Sequence, residues 1–174
     1  QMARFYKVPS GGYIGMTNAH IDDAQSGYET GMGSTAATLG GADMLNMGGL
    51  LSSLLTFDFA KAVIDNEIGL MLKRIHKGLK SSPEDISLDV IAKVGRGGSY
   101  IEEPDTFNRM TTTALLPNIA MRDVRGIWEE NGKTDAHTRA LAEAEKILSR
   151  DNPAVFSPEV DAKIRDRFKD LVSG

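Results

Sequence analysis

The chain has 174 residues, 41% of them hydrophobic and 25% charged, the makeup of an ordinary folded domain, which excludes disorder as its default state. Twenty Lys and Arg against 24 Asp and Glu leave a net charge of −4, so no basic excess exists to neutralise nucleic acid or an anionic membrane surface. With no cysteine, disulfides, thiolate nucleophiles and iron–sulfur clusters drop out, and His20, His76 and His137 lie too far apart for a metal-ligand motif, so no metal is expected.

In chain order, Gln1-Met2-Ala3-Arg4 carries none of the zones of an export signal, and a cytoplasmic location is expected. Gly12-Tyr13-Ile14-Gly15-Met16 reads as a first strand. Asp22 with Gln25 three residues on resembles a capping box and predicts a helix through Tyr28 and Ala36 to Leu39. Ala42 to Met47 reads as a second strand. It lies in the stretch Gly40 to Leu55, which has no Lys or Arg but is too broken by Asp43, Asn46 and glycines to span a membrane, and predicts buried sheet. Strand, helix, strand, helix is βα punctuation, so two short parallel strands are expected whose outer edges must be paired or hidden by something else.

From Phe57 to Lys77, Ala60, Val63, Ile64, Ile68, Met71, Leu72 and Ile75 follow helical spacing with one buried face. Thr56 is the expected N-cap, with Asp58 in the first turn and Gly78 closing the helix; Lys61, Asp65, Lys73, Arg74 and Lys77 mark the expected wet side. Ser82-Pro83-Glu84-Asp85 and Ser157-Pro158-Glu159 each predict a helix start. The first would run through Leu88, Val90 and Ile91 to Val94, and the second would use Val160, Ile164, Phe168 and Leu171 as its face. A further helix is expected over 134–150. Gly95-Arg96-Gly97-Gly98-Ser99 follows a helix rather than a strand, which favours a turn over a phosphate loop.

Charge divides the chain. Residues 1–60 hold seven Asp, Glu, Lys or Arg and residues 61–174 hold 37, while ten of the 18 glycines fall in the first fifty positions. The front is expected to lie inside a larger fold and the remainder to be mostly helices.

Candidate chemistry gathers in the front part. His20 stands in the run Thr17-Asn18-Ala19-His20-Ile21-Asp22-Asp23, after the first strand, where βα enzymes keep their reactive groups; the plain alternative is that these polar residues make turns and caps. Tyr13 and Tyr28 flank the run, with Glu29 adjacent. Aromatic faces with an acid are what a quaternary ammonium needs, because it has no N–H to donate; packing into the core is the plain alternative for both tyrosines. Trp128 reads as a packing anchor.

The run Gly11-Gly12-Tyr13-Ile14-Gly15-Met16-Thr17-Asn18-Ala19-His20, with Asp23, Gln25, Tyr28 and Glu29 behind it, resembles the C-terminal part of the trimethylamine methyltransferase family. Leu39-Gly40-Gly41-Ala42, Gly48-Gly49-Leu50-Leu51, Val63-Ile64-Asp65-Asn66-Glu67-Ile68, Leu88-Asp89-Val90-Ile91, Val94-Gly95-Arg96-Gly97-Gly98, Arg122-Asp123 and Trp128-Glu129 follow in that family's order. The resemblance implies an α/β fold, the C-terminal portion of a (β/α)8 TIM barrel. In it 1–60 would supply barrel strands and the active-site loop, and 61–174 mostly helices. It implies a methyltransferase that moves a methyl group from a methylated, quaternary amine to the cobalt of a corrinoid. That cofactor, a cobalamin, is carried by a partner protein, and none is bound directly. Members specific for trimethylamine carry pyrrolysine near the position of Met16; the ordinary residues here point to the branch without it, which includes glycine betaine methyltransferases. Substrate-binding residues implied are Tyr13, Met16, Asn18, His20, Tyr28 and Glu29, with the two tyrosines as cage walls and Asn18 and His20 as contacts to a substrate carboxylate. A chain with only this part of a barrel is expected to be inactive alone and to form a homo-oligomer. The contrasting expectation is a non-catalytic oligomerisation or partner-binding module using its open strand edges.

Overall fold

In a computed structural model the structure describes residues 1–151 and 155–168. Residues 1–144 make one compact unit and 145–174 a second.

The first unit opens with α1 (Met2–Tyr6) and β1 (Gly11–Gly12). After a loop come α2 (Ala24–Gly40), β2 (Met44–Leu45), and a hairpin of β3 (Leu50–Leu51) and β4 (Thr56–Phe57) around the tight turn Ser52–Leu54. The long α3 (Phe59–Lys77) follows, then α4 (Leu88–Val94), α5 (Pro104–Met110), α6 (Arg125–Glu130) and α7 (Ala136–Leu148). In the second unit α8 (Pro158–Arg167) is capped by the Ser157 hydroxyl, as its Ser-Pro-Glu start predicts; Leu171, expected on its face, lies outside the described residues. The described strands all fall within 11–57, and the rest is helix and connection.

The expected parallel pair is present but short. Gly11 pairs with Met44 and Gly12 with Leu45, and the two strands form a sheet of their own. The chain leaves β1 at Tyr13 because α2 closes in behind it. A Cβ on Gly33 would stand 2.6 Å from the Ile14 carbonyl oxygen, an approach only glycine permits. The β3–β4 hairpin, antiparallel with Leu51 opposite Thr56, was not foreseen.

Caps differ from expectation in two places. Thr56 is tied into β4, so Asp58 caps α3 instead, its carboxylate accepting from the Lys61 N–H at 2.7 Å. At α2, Asp23 rather than Asp22 is the cap, accepting from the backbone N–H of Gln25 and Ser26. The helix predicted from Ser82 starts only at Leu88, because Ser87 adopts a left-handed backbone (φ 54) and Arg109 takes the Glu84 and Asp85 carbonyls. The helix expected over 134–150 is α7, trimmed at both ends, and the glycine run after α4 is a turn.

The wet side assigned to α3 is corrected at two positions. Lys61 and Asp65 are among the most buried residues of the protein. The reason lies in α2, whose buried face is Ser26, Thr30 and Ser34 rather than a leucine stripe. A polar, small-residue face accepts a polar partner. An adjoining face of α3 uses Ala60, Val63 and Ile64 to pack against Ile119 and Ala140. Beside them the buried Glu67 carboxylate accepts three backbone N–H groups, from Asn118, Ile119 and Ala120, at 2.5–2.8 Å.

Large apolar side chains stand outside this core. On α2, Tyr28, Met32 and Leu39 are all more than half exposed. Among the described residues no helix is long and apolar enough to cross a membrane.

Candidate functional site

Two loops leave the C-terminal ends of the parallel strands, and the structure fastens them together. From Gly15 to His20 burial alternates: Gly15, Thr17 and Ala19 are buried, while Met16, Asn18 and His20 are exposed on the other side. This is extended chain showing alternate side chains to solvent. The second loop continues β2 through Gly48 and Gly49 into the hairpin turn. Ser52 N–H donates to the Ala19 carbonyl at 2.8 Å and Ser53 N–H to that of Thr17 at 3.1 Å. Side chains repeat the fastening, with Ser52 Oγ 2.8 Å from His20 Nδ1 and the Ser53 hydroxyl donating to Asn18 Oδ1.

The hairpin turn is strained to achieve this. Ser52, Ser53 and Leu54 have φ of 51°, 54° and 78°, three successive residues with side chains in the left-handed region. Each costs roughly 1–2 kcal/mol. Such a run persists only where its surroundings over-determine it, as the four hydrogen bonds to residues 17–20 and the buried Leu51 do here.

Glu29 braces the first loop from behind. Its carboxylate accepts from the Thr17 hydroxyl at 2.6 Å, the Asn18 N–H at 2.9 Å and the Gln25 side-chain amide at 3.0 Å. The Thr17 hydroxyl, with the Asn18 N–H and the Gln25 amide behind it, holds this carboxyl below its ordinary range.

Beneath both loops lies a buried ion pair. Lys61 Nζ donates to Asp65 Oδ1 and, at 3.0 Å, to Thr30 Oγ1, whose own hydroxyl donates to the Gly15 carbonyl at 3.1 Å. The other oxygen of Asp65 accepts the Gly49 N–H at 2.9 Å. Gly49 has φ of 74°, a left-handed position suited to glycine. One cation and one anion thus pin Gly15, just before the first loop, and Gly49, just before the second. Burial pushes the Asp65 carboxyl up, with Lys61 and the Gly49 N–H pulling the other way.

The structure therefore joins some of the expected residues and separates others. Asn18 and His20 share one exposed edge with Met16, and Glu29 touches their loop. Tyr13 and Tyr28 are 58% and 56% exposed, so neither is a core residue, and no ring contact joins them. A cavity of about 870 Å³ lies elsewhere, between the end of β2 and α3, lined by Leu45, Met47, Asp65 and His76 among others and by none of the six expected residues. Trp128 is partly buried and donates to the Thr134 carbonyl, an anchor for the start of α7. Three groups that sequence spacing kept apart converge: one ligand atom each of Asp22, Asp58 and His137 lies within 4.8 Å of the others, a set able to hold a cation. In this arrangement Asp22 accepts the Ser26 hydroxyl and faces His137 Nδ1 at 3.2 Å.

Ser52, Ser53, Lys61 and Asp65 escaped the sequence reading. No periodicity flags a serine pair in a turn, and the ion pair sits at i, i+4 on a helix, where exposed pairs are common.

The chain matches the family described as trimethylamine methyltransferase (MTTB) over residues 1–173. It is 33% identical over 166 residues to a glycine betaine methyltransferase of Desulfitobacterium hafniense (strain Y51), covering 95% of this chain and 34% of that protein. It is 31% identical over 165 residues to the trimethylamine methyltransferase MttB of Desulfitobacterium hafniense (strain DSM 10664 / DCB-2), covering 95% of this chain and 33% of the relative. Against the trimethylamine methyltransferase MttB2 of Methanosarcina mazei identity is 32% over 174 residues, 99% of this chain and 34% of the relative. The chain spans about a third of the length of these curated relatives. With a match over nearly its whole length, this chain belongs to the trimethylamine methyltransferase family.

Proposed function

We propose that these residues form part of the active face of a methyltransferase that passes a methyl group from a methylated, quaternary amine such as glycine betaine to a corrinoid carried by a partner protein. The observation that carries this reading is the fastened pair of loops at the C-terminal ends of parallel strands, where βα barrels keep their chemistry, with Met16, Asn18 and His20 turned outward. In this reading β1 and β2 are two neighbouring strands of a (β/α)8 barrel, and the rest of the barrel covers their open edges and the exposed apolar side chains. The 174 residues alone are then inactive, and the assembled protein is a homo-oligomer of the cytoplasm.

The exposed loop edge suits a group delivered on a second protein. The corrinoid, when docked, supplies a cobalt nucleophile for the methyl carbon, and the amine departs neutral with the electrons of the broken carbon–nitrogen bond. What this chain's residues contribute is orientation and charge. Tyr13 and Tyr28 offer ring faces to the ammonium, each worth about 0.5–2 kcal/mol. The oxygens of Glu29 are engaged by the loop and by Gln25 of α2, so it acts on the cation through its charge. A quaternary ammonium has no N–H to offer it in any case.

Methyl transfer from glycine betaine to a corrinoid protein by the intact protein tests this reading, and Tyr13→Ala tests the cage. Transfer that falls severalfold in the variant supports it; unchanged transfer removes the cage. A second reading, a docking module without turnover, draws on the exposed Tyr28, Met32 and Leu39 on α2. Methyl transfer by the intact protein, with its oligomeric state from size-exclusion chromatography and light scattering, separates the two: a tight oligomer of the intact protein with no methyl transfer favours the module.

A further inference from the structure

Asn18 and His20 each have one side-chain atom engaged by the hairpin turn and one left over. Asn18 Oδ1 accepts from Ser53, and among the described residues its NH₂ has no partner. His20 Nδ1 lies 2.8 Å from Ser52 Oγ, and among the described residues its Nε2 has no partner. Both residues are exposed, so the free atoms are open to a ligand. The serines reach them only because the turn holds a left-handed backbone that residues with side chains rarely adopt. Among the described residues neither serine hydroxyl has a second partner, so these contacts are the role the structure gives them.

We propose that Ser52 and Ser53 are positioning residues that set the hydrogen-bond polarity of this edge. Ser53 O–H donates to Asn18 Oδ1, which turns the amide NH₂ outward. Ser52 O–H donates to His20 Nδ1, which keeps the imidazole proton on Nε2. The free nitrogens of both side chains are then N–H donors. The edge selects a ligand whose far end is a carboxylate, and discriminates against the same cation without one. The identity of that ligand rests on the methylated-amine reading above; the polarity of the two side chains does not.

Glycine suits a left-handed backbone, so Ser52→Gly and Ser53→Gly remove the hydroxyls while keeping the turn. Long-range ¹H–¹⁵N spectra of the intact protein at about pH 8, above the ordinary histidine range, read the tautomer of each neutral imidazole. His20 is assigned by the signal lost in His20→Gln. The expected result is a proton on Nε2 of His20 in the wild type and a mixture of tautomers in Ser52→Gly, with His76 and His137 unchanged. Calorimetry is then run with glycine betaine and with tetramethylammonium, which lacks the carboxylate. Each serine variant is expected to bind betaine roughly tenfold more weakly, as loss of one oriented hydrogen bond implies, and tetramethylammonium as before. A proton on Nδ1 in the wild type, a His20 tautomer indifferent to Ser52→Gly, or equal losses for both ligands overturns the proposal. If the wild type binds neither ligand, the methylated-amine reading fails, and the His20 tautomer alone decides the positioning role.

Discussion

Replacing Lys61 by Met isolates the energetics of the buried ion pair. The change keeps the unbranched apolar stem but removes the ammonium that Asp65 and Thr30 share. Asp65, only 2% exposed, is left with the Gly49 N–H as its remaining partner. Breaking one side of a buried pair costs about 3–5 kcal/mol, because an uncompensated charge stays out of water. At 174 residues each kcal/mol lowers the melting temperature by about 2–4 °C, so the expected loss is roughly 6–20 °C at pH 7. The pH dependence has a definite sign. Asp65 is already pushed up by burial, and without Lys61 it rises further, so its native state holds a proton more readily than the unfolded chain does. The penalty is therefore full above the native pKa and shrinks as pH falls through it, and the gap between variant and wild type narrows in acid. Lys61→Met with Asp65→Asn removes both charges while leaving an oxygen for the Gly49 N–H, and recovers most of the loss. Thermal melts followed by circular dichroism at pH 7 and pH 5 measure all of this. A single variant as stable as the wild type, or a double variant no better than the single one, would refute the reasoning.

Three further outcomes follow from other contacts. Glu67→Gln replaces an acceptor oxygen with an amide nitrogen facing the backbone N–H groups of 118–120, and is expected to cost about 1–3 kcal/mol with faster amide exchange there. Gly33→Ala forces α2 away from the Ile14 carbonyl; a loss of about 1–3 kcal/mol in urea unfolding is expected, and no loss would mean the helix already stands off. The Glu29 brace has its carboxyl held low, so its support for residues 17–20 is present above the ordinary carboxylate range and lost as pH falls through the lowered native value. The protection of the Asn18 amide, measured relative to its intrinsic exchange rate at each pH, should fall in acid in the wild type and be low at every pH in Glu29→Gln.

The elements most legible in the sequence were those whose signals are local and apolar. Helical spacing across Ala60, Val63, Ile64 and Leu72 gave α3, and Ser157-Pro158 gave the start of α8. The parallel pairing of β1 and β2 followed from strands alternating with helices, although both strands are shorter than expected. What stayed hidden depends on partners distant in sequence. The interior of α2 is Ser26, Thr30 and Ser34, and its large apolar residues point outward, so hydrophobic periodicity misassigns its faces. Lys61 and Asp65 look like a solvated pair until α2 supplies Thr30. Asp22 and His137 are 115 residues apart, beyond any spacing rule. Within the candidate site, the outward placement of Asn18 and His20 agrees with their position after a strand, whereas the serines that hold them became visible only through the left-handed turn.

The most direct measurement is a crystal structure of the intact protein with glycine betaine. The account predicts the trimethylammonium group within about 6 Å of the Tyr13 and Tyr28 rings, the distance at which ring faces attract a cation, and the carboxylate on the Asn18 amide and His20 Nε2. Betaine bound away from residues 13–29, or its carboxylate turned from Asn18 and His20, would contradict it.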